Sequence, residues 1–159
     1  MATIRWSDNN GNEHVGSILD VLQLSGINQQ FVIQWSVAQG TPAVIANDVA
    51  PWYVLPCNLL LTQCMICAKT LPTGNGDLAY DVKYKRGSDD FASIFGITNP
   101  LIIDPGGPAV MQTPVNGQII AAGAFPLQIS DILRVDCLVI GDSVAGQDVT
   151  IQLVGYLVN

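Results

Sequence analysis

The chain has 159 residues, of which 49% are hydrophobic and 12% charged, and its formal net charge is −7. This length suits one domain with a core of its own. Binding to nucleic acid requires clustered Lys and Arg. Because six Lys and Arg residues stand against thirteen acidic ones, we expect no nucleic-acid partner.

The acidic residues are twelve Asp and a single Glu, Glu13, and fifteen Gly accompany them. Asp and Gly favour turns, whereas Glu favours helices. Val, Ile, Leu and Thr are abundant, and they favour strands. The N-terminus has no apolar signal-peptide core, and no run approaches the roughly 18 apolar residues of a membrane helix. The composition predicts an all-β protein made in the cytoplasm, with no membrane partner.

Strand patterns recur along the chain in order. Residues 1–29 begin with a turn at 8–12, and 16–24 fits neither helix nor strand cleanly; a strand is favoured, with a short helix as the alternative. Eight further segments have strand character: 31–37, 52–55, 59–69, 78–85, 91–95, 119–127, 132–140 and 149–158. Prolines at 51 and 56 imply edge or terminal positions for the second of these. The prolines and glycines of 99–117 indicate a loop, within which a short strand at 109–113 is considered.

The spacing predicts one domain over 1–159, an antiparallel, jelly-roll-like β-sandwich of about eight strands. We expect residues 1–29 to add an N-terminal arm or extra strands used in assembly.

The segment 59–69 is apolar on both faces, which is typical of a central strand or of a subunit contact. Simple alternation places Leu60, Thr62, Cys64 and Ile66 on one face and three other apolar residues on the opposite face. We predict that these three form a subunit interface: Leu59, Leu61 and Met65. The alternative is that residues 1–29 cover that face within one chain.

The four cysteines are Cys57, Cys64, Cys67 and Cys137. Cys64 and Cys67 have the spacing of a zinc or redox pair, but positions i and i+3 of a strand point to opposite faces. The chain has one histidine, His14. We therefore expect reduced, structural thiols, with no metal and no cofactor.

The sequence offers little for catalysis. There is no Gly-x-Ser-x-Gly elbow, and Gly74-Asn75-Gly76 joins two strands without opening a helix. Most Asp residues fall in turns, although two carboxylates could in principle hydrolyse a glycoside. The basic cluster of Lys83, Lys85 and Arg86 is interpreted as a solvated strand end. We expect no catalytic residue and no enzymatic activity.

Three tryptophans, Trp6, Trp35 and Trp52, have two possible uses. Core or interface packing is the favoured interpretation. A platform on which sugar rings stack is the alternative.

Two stretches carry a resemblance to a known group of proteins. Residues 67–82 read CAKTLPTGNGDLAYDV, and DILRVD at 131–136 precedes GDSVAGQDVTIQL at 141–153. This resembles the β-sandwich proteins associated with virions of tailed bacteriophages, of the decoration, head-fibre or tail-appendage kind. The resemblance covers 59–95 and 126–158, and Ser130 stands where the pattern has glycine.

The resemblance implies a structural protein of the virion, synthesised in the host cytoplasm. It favours a capsid decoration (cement) protein, a homotrimer that contacts the major capsid protein or another virion protein. The alternatives are a carbohydrate-binding or receptor-binding module of a phage fibre or tail appendage, and a small structural protein of a bacterial cell.

Overall fold

The computed structural model describes residues 4–7, 13–16, 30–96, 101–106 and 125–158. The chain divides into two compact units, Met1–Gln30 and Phe31–Asn159. In the first unit, β1 (Ile4–Ser7) pairs antiparallel with β2 (Glu13–Gly16). The use of this segment in assembly stays a prediction.

The second unit contains two antiparallel sheets. The strands of the five-stranded sheet are β4 (Tyr53–Val54), β6 (Leu78–Lys85), β7 (Ala92–Ser93), β8 (Leu101–Ile103) and β10 (Ile132–Val139). They are ordered β4-β10-β6, after which β7 and β8 pair with successive parts of β6.

The four-stranded sheet has the order β3-β11-β5-β9. Its strands are β3 (Gln30–Pro42), β5 (Leu59–Thr70), β9 (Phe125–Leu127) and β11 (Gln147–Leu157). The chain passes repeatedly from one sheet to the other, so strands that are neighbours in sequence often face each other across the core.

One hydrophobic core lies between the sheets. Alternating residues of each long strand enter it, such as Ile33, Trp35 and Val37 of β3 and Leu133, Val135 and Cys137 of β10. This alternation of buried and outward-facing positions is what two packed antiparallel sheets require.

The predicted all-β antiparallel sandwich is confirmed, with nine strands in the two sheets of the described residues rather than about eight. The strand at 52–55 lies at a sheet edge, as its prolines predict. β8 was not predicted, because it lies in the segment interpreted as loop. The short strand considered at 109–113 and the segments 17–29 and 119–124 lie outside the described residues.

Candidate interaction surfaces

The three residues predicted to form a subunit interface do not share a face. Leu59 and Leu61 are 0% exposed and belong to the core, whereas Met65 is half-buried on the outer face. A β-bulge causes this difference: Gln63 pairs with Val154 and Leu61 with Gly155, so Thr62 is the extra residue. The prediction that Leu59 and Leu61 lie on the surface with Met65 was therefore wrong.

Met65 lies among polar side chains. Its partner across the strands is Gln152, whose amide donates a hydrogen bond to Gln34 Oε1 at 2.6 Å. Thr62, in the bulge, donates its hydroxyl to the carbonyl of Val154 at 3.3 Å. This outer face is thus polar around Met65, and an interface role for Met65 stays a prediction.

The bulge also sets the positions of the cysteines. Cys64 is buried and Cys67 is half-buried on the opposite face, as the spacing i to i+3 predicts. Burial raises the pKa of the thiols of Cys64 and Cys137. In the described part of the chain, no group of three metal-binding side chains is assembled.

An exposed apolar surface crosses the outer face of the five-stranded sheet at one end. Val139 of β10 pairs with Ala79 of β6, and Ala79 pairs with Ile102 of β8. An isolated bridge from Ala46 to Cys137 brings the residues just before Ala46 alongside the end of β10. We call the five exposed members of this surface the outer strip: Val44, Ile45, Ile102, Leu138 and Val139.

A buried ionic cluster occupies the middle of the same outer face. Asp81 and Asp136 are directly opposite each other on β6 and β10, and the Asp136 side chain is 0% exposed. Lys83 Nζ lies 2.9 Å from Asp136 Oδ2, and Arg134 Nη2 donates to the same oxygen at 2.9 Å. The backbone N–H of Asp48 donates to Oδ1 at 2.9 Å.

The two carboxyl groups have opposite pKa shifts. Burial alone would raise the pKa of Asp136, but hydrogen bonds from Lys83, from the Asp48 amide and from Arg134 outweigh it and lower that pKa. For Asp81, burial dominates and raises the pKa, although Ser93 donates to Oδ1 at 2.7 Å. Asp136 therefore ionises at a lower pH than Asp81 does.

A second ion pair fixes the turn before β10. Arg86 donates from Nε and Nη2 to the two oxygens of Asp131, at 2.9 and 2.8 Å. The backbone N–H of Gln128 also donates to Asp131 Oδ2, at 2.8 Å. Burial would raise the pKa of Asp131, but the bonds from Arg86 and Gln128 lower it.

Two of the three basic-cluster residues therefore bind buried carboxylates, Lys83 with Asp136 and Arg86 with Asp131. The interpretation of this cluster as a mixed, solvated strand end holds in part: the side chains of Lys83 and Arg86 are 24% and 38% exposed, but each also binds a buried carboxylate. The carboxylates they bind lie on other elements.

The tryptophans differ in their use. Trp35 is in the core, where its indole N–H donates to the Pro51 carbonyl at 3.1 Å. Trp52 is 53% exposed beside an open groove of about 520 Å³ lined by residues 48–52. Trp6 lies in β1, outside the residues whose side chains are described.

Comparison of the chain with protein-family models, with curated proteins and with solved structures finds no match. No helix in the described ranges is long and apolar enough to cross a membrane.

Proposed function

We propose that the chain is a non-enzymatic structural subunit of a bacteriophage particle: a capsid decoration (cement) protein. It acts through contacts with its own copies, as a trimer, and with the major capsid protein. The motifs at 67–82 and 131–153, and the antiparallel sandwich that contains them, support this proposal.

The observation that carries the proposal is the outer strip. Val44 is 67% exposed and Val139 is 43% exposed, and all five members of the strip are aliphatic. Several exposed aliphatic side chains at one end of a sheet favour contact with a partner, since burial of apolar surface releases roughly 25 cal/mol per Å².

A second copy of the chain is the occupant that fits the strip best. The chain carries a net charge of −7, so two copies repel each other wherever their charged surfaces meet. An uncharged aliphatic strip avoids that repulsion. Contact with the capsid then uses surfaces that the trimer leaves open.

The experiment uses particles from a phage in which the gene for this chain is deleted, together with the purified recombinant protein. We expect the wild-type protein to be a trimer by light scattering and to bind the deleted particles in co-sedimentation. Val139→Asp should be folded but monomeric, because a charge in the strip opposes its burial. It should not co-sediment, because a monomer lacks the multivalent contact that a trimer makes with the particle.

Ile129→Asp is the matched control, since Ile129 is also exposed and precedes the opposite end of β10. It should remain trimeric and bind. A monomeric wild-type protein, or one that does not sediment with the particles, contradicts the proposal. If Met65→Asp rather than Val139→Asp dissociates the trimer, the interface lies on the four-stranded sheet and the strip is not its location.

A further inference from the structure

The groove beside Trp52 has the dimensions of a small-ligand site. Its volume of about 520 Å³ lies within the range of roughly 300–1,000 Å³ that ligand sites occupy, and it is a shallow depression open to solvent, not an enclosed pocket. Residues 48–52 line it, with an acidic residue at one end of this segment and Trp52 at the other. More than half of Trp52 is exposed, so a ligand in the groove would meet its ring.

The indole of Trp52 packs against neighbouring side chains that restrict its motion. Its ring makes an edge contact with Phe91, with centroids 5.6 Å apart and an interplanar angle of 63°. Phe91 in turn has the Arg134 guanidinium 4.2 Å from its ring centroid. The preceding residue is Pro51, whose carbonyl is bound by the indole of Trp35. A side chain fixed in this way loses little conformational entropy when a ligand binds.

Asp48, at the other end of the groove, has a strained backbone. Its φ is 63°, in the left-handed region that non-glycine residues seldom adopt. Its amide donates to the buried carboxylate of Asp136, which Lys83 and Arg134 hold in position. Such strain persists where surrounding contacts enforce it, and it concentrates at functional sites. The ionic cluster thus presents the exposed side chain of Asp48 at the groove.

An exposed aromatic face with a carboxylate nearby suits a sugar ring. The axial C–H face of a pyranose packs on an indole, and its equatorial hydroxyls donate hydrogen bonds to carboxylate oxygens. The described lining contains one acidic residue and no cationic one, which disfavours an anionic sugar. We propose that this groove binds a neutral pyranose residue of a glycan, stacked on Trp52 and hydrogen-bonded to Asp48. The inference does not depend on the particle proposal, because it concerns the groove alone.

The test is a glycan array followed by NMR titration of the ¹⁵N-labelled full chain. The titrated probes are the neutral hexasaccharides of cellulose, amylose and chitin, any neutral glycan that the array selects, and an oligogalacturonate as the anionic comparison. We expect at least one neutral glycan to shift the indole N–H resonance of Trp52 saturably. That resonance is assigned by its loss in Trp52→Ala.

Three variants separate binding from folding. Trp52→Ala and Asp48→Gly should each weaken binding by at least about tenfold. Asp48→Gly should keep or raise the midpoint of thermal unfolding, because glycine adopts a positive φ without strain. Tyr156→Ala is the matched aromatic control on the other sheet, and it should bind as the wild type does.

Any of four results would overturn the proposal. These are no binding of any neutral glycan on the array, preferential binding of the oligogalacturonate, unchanged affinity in Trp52→Ala, and unchanged affinity in Asp48→Gly.

Discussion

Asp81 and Asp136 show how neighbouring positions give one residue type two different properties. They face each other across β6 and β10, yet Asp136 accepts hydrogen bonds from two cationic side chains and one amide, while Asp81 has Ser93 as its hydrogen-bond donor. Ionised Asp136 therefore stabilises the fold. Ionised Asp81 opposes folding, because its burial is compensated less.

These opposite shifts predict opposite effects of neutralising the two residues. Asp136 has a lowered pKa, so its contribution is present above the unfolded value of about 3.9 and is lost as pH falls through its folded pKa. Asp81 has a raised pKa, so its ionisation removes stability as pH rises from about 3.9 through its folded pKa. At pH 7, Asp136→Asn should reduce the free energy of unfolding by about 2 kcal/mol. Asp81→Asn should leave it unchanged or raise it.

Urea denaturation of both variants and the wild type, at pH 7 and again near pH 3, measures these differences. The difference in unfolding free energy between Asp136→Asn and the wild type should be smaller at the lower pH. Equal losses in the two variants at pH 7 would show that the opposite environments of the carboxyl groups are not as described.

The burial of Leu61 gives a prediction at the same scale. Leu61→Ala should cost about 2–5 kcal/mol of unfolding free energy, the usual range for a core leucine. Met65→Ala, at a half-buried position, should cost less than half as much. Chemical denaturation of the two variants compares them directly, and a larger loss for Met65→Ala would contradict the register of β5.

At the scale of elements, strand positions follow from the sequence more readily than strand faces. The segment predicted at 59–69 corresponds to β5 within one residue, because its run of apolar residues is bounded by turn-forming ones. Its faces were assigned wrongly at Leu59 and Leu61, since the bulge at Thr62 inverts the alternation between them and Met65 and no glycine marks the bulge in β5 itself. The close approach is on the partner strand, where a Cβ at Gly155 would lie 2.5 Å from the Leu60 carbonyl oxygen.

The ionic cluster could not be predicted from the alternation of residues in the strands either. Alternation correctly places Asp81, Lys83, Arg134 and Asp136 on the outward face. It does not reveal that the two carboxyl groups are buried there and accept hydrogen bonds from Asp48 and Ser93. A usable signal was present: in an antiparallel pairing of 78–85 with 132–139, two acidic and two basic residues become neighbours. β8 was missed because Pro100, Pro105 and Gly106 surround its three residues.

The burial of each cysteine, which the bulge determines for Cys64 and Cys67, predicts which thiols react with a reagent in solution. Maleimide labelling of the native protein should modify Cys57 and Cys67, which are half-buried, and spare Cys64 and Cys137, which are buried. All four should react after denaturation, since the thiols are free. Peptide mass spectrometry locates the labels. Labelling of Cys64 as fast as Cys67 would mean that the alternation in β5 differs from the one described.

In the molecule as described, the outer strip, the ionic cluster and the groove beside Trp52 all lie on the outer side of the five-stranded sheet. The outer strip lies at one end of β10, the ionic cluster is in its middle, and the groove beside Trp52 is close to that cluster through Asp48. The four-stranded sheet instead has a polar outer face around Met65. The fold class can be predicted from composition and turn spacing. The difference between the two outer faces cannot, because it depends on which distant strands pair.

The central claim, that the chain is a structural subunit of a phage particle, is tested most directly by its copy number in purified particles. Quantitative mass spectrometry should be performed on wild-type particles purified from a lysate through two density gradients, with the major capsid protein as the internal standard. We expect the chain to co-purify in a fixed ratio to the major capsid protein, with a copy number divisible by three. Absence of the chain from particles, while it is abundant in the soluble lysate, would contradict the account.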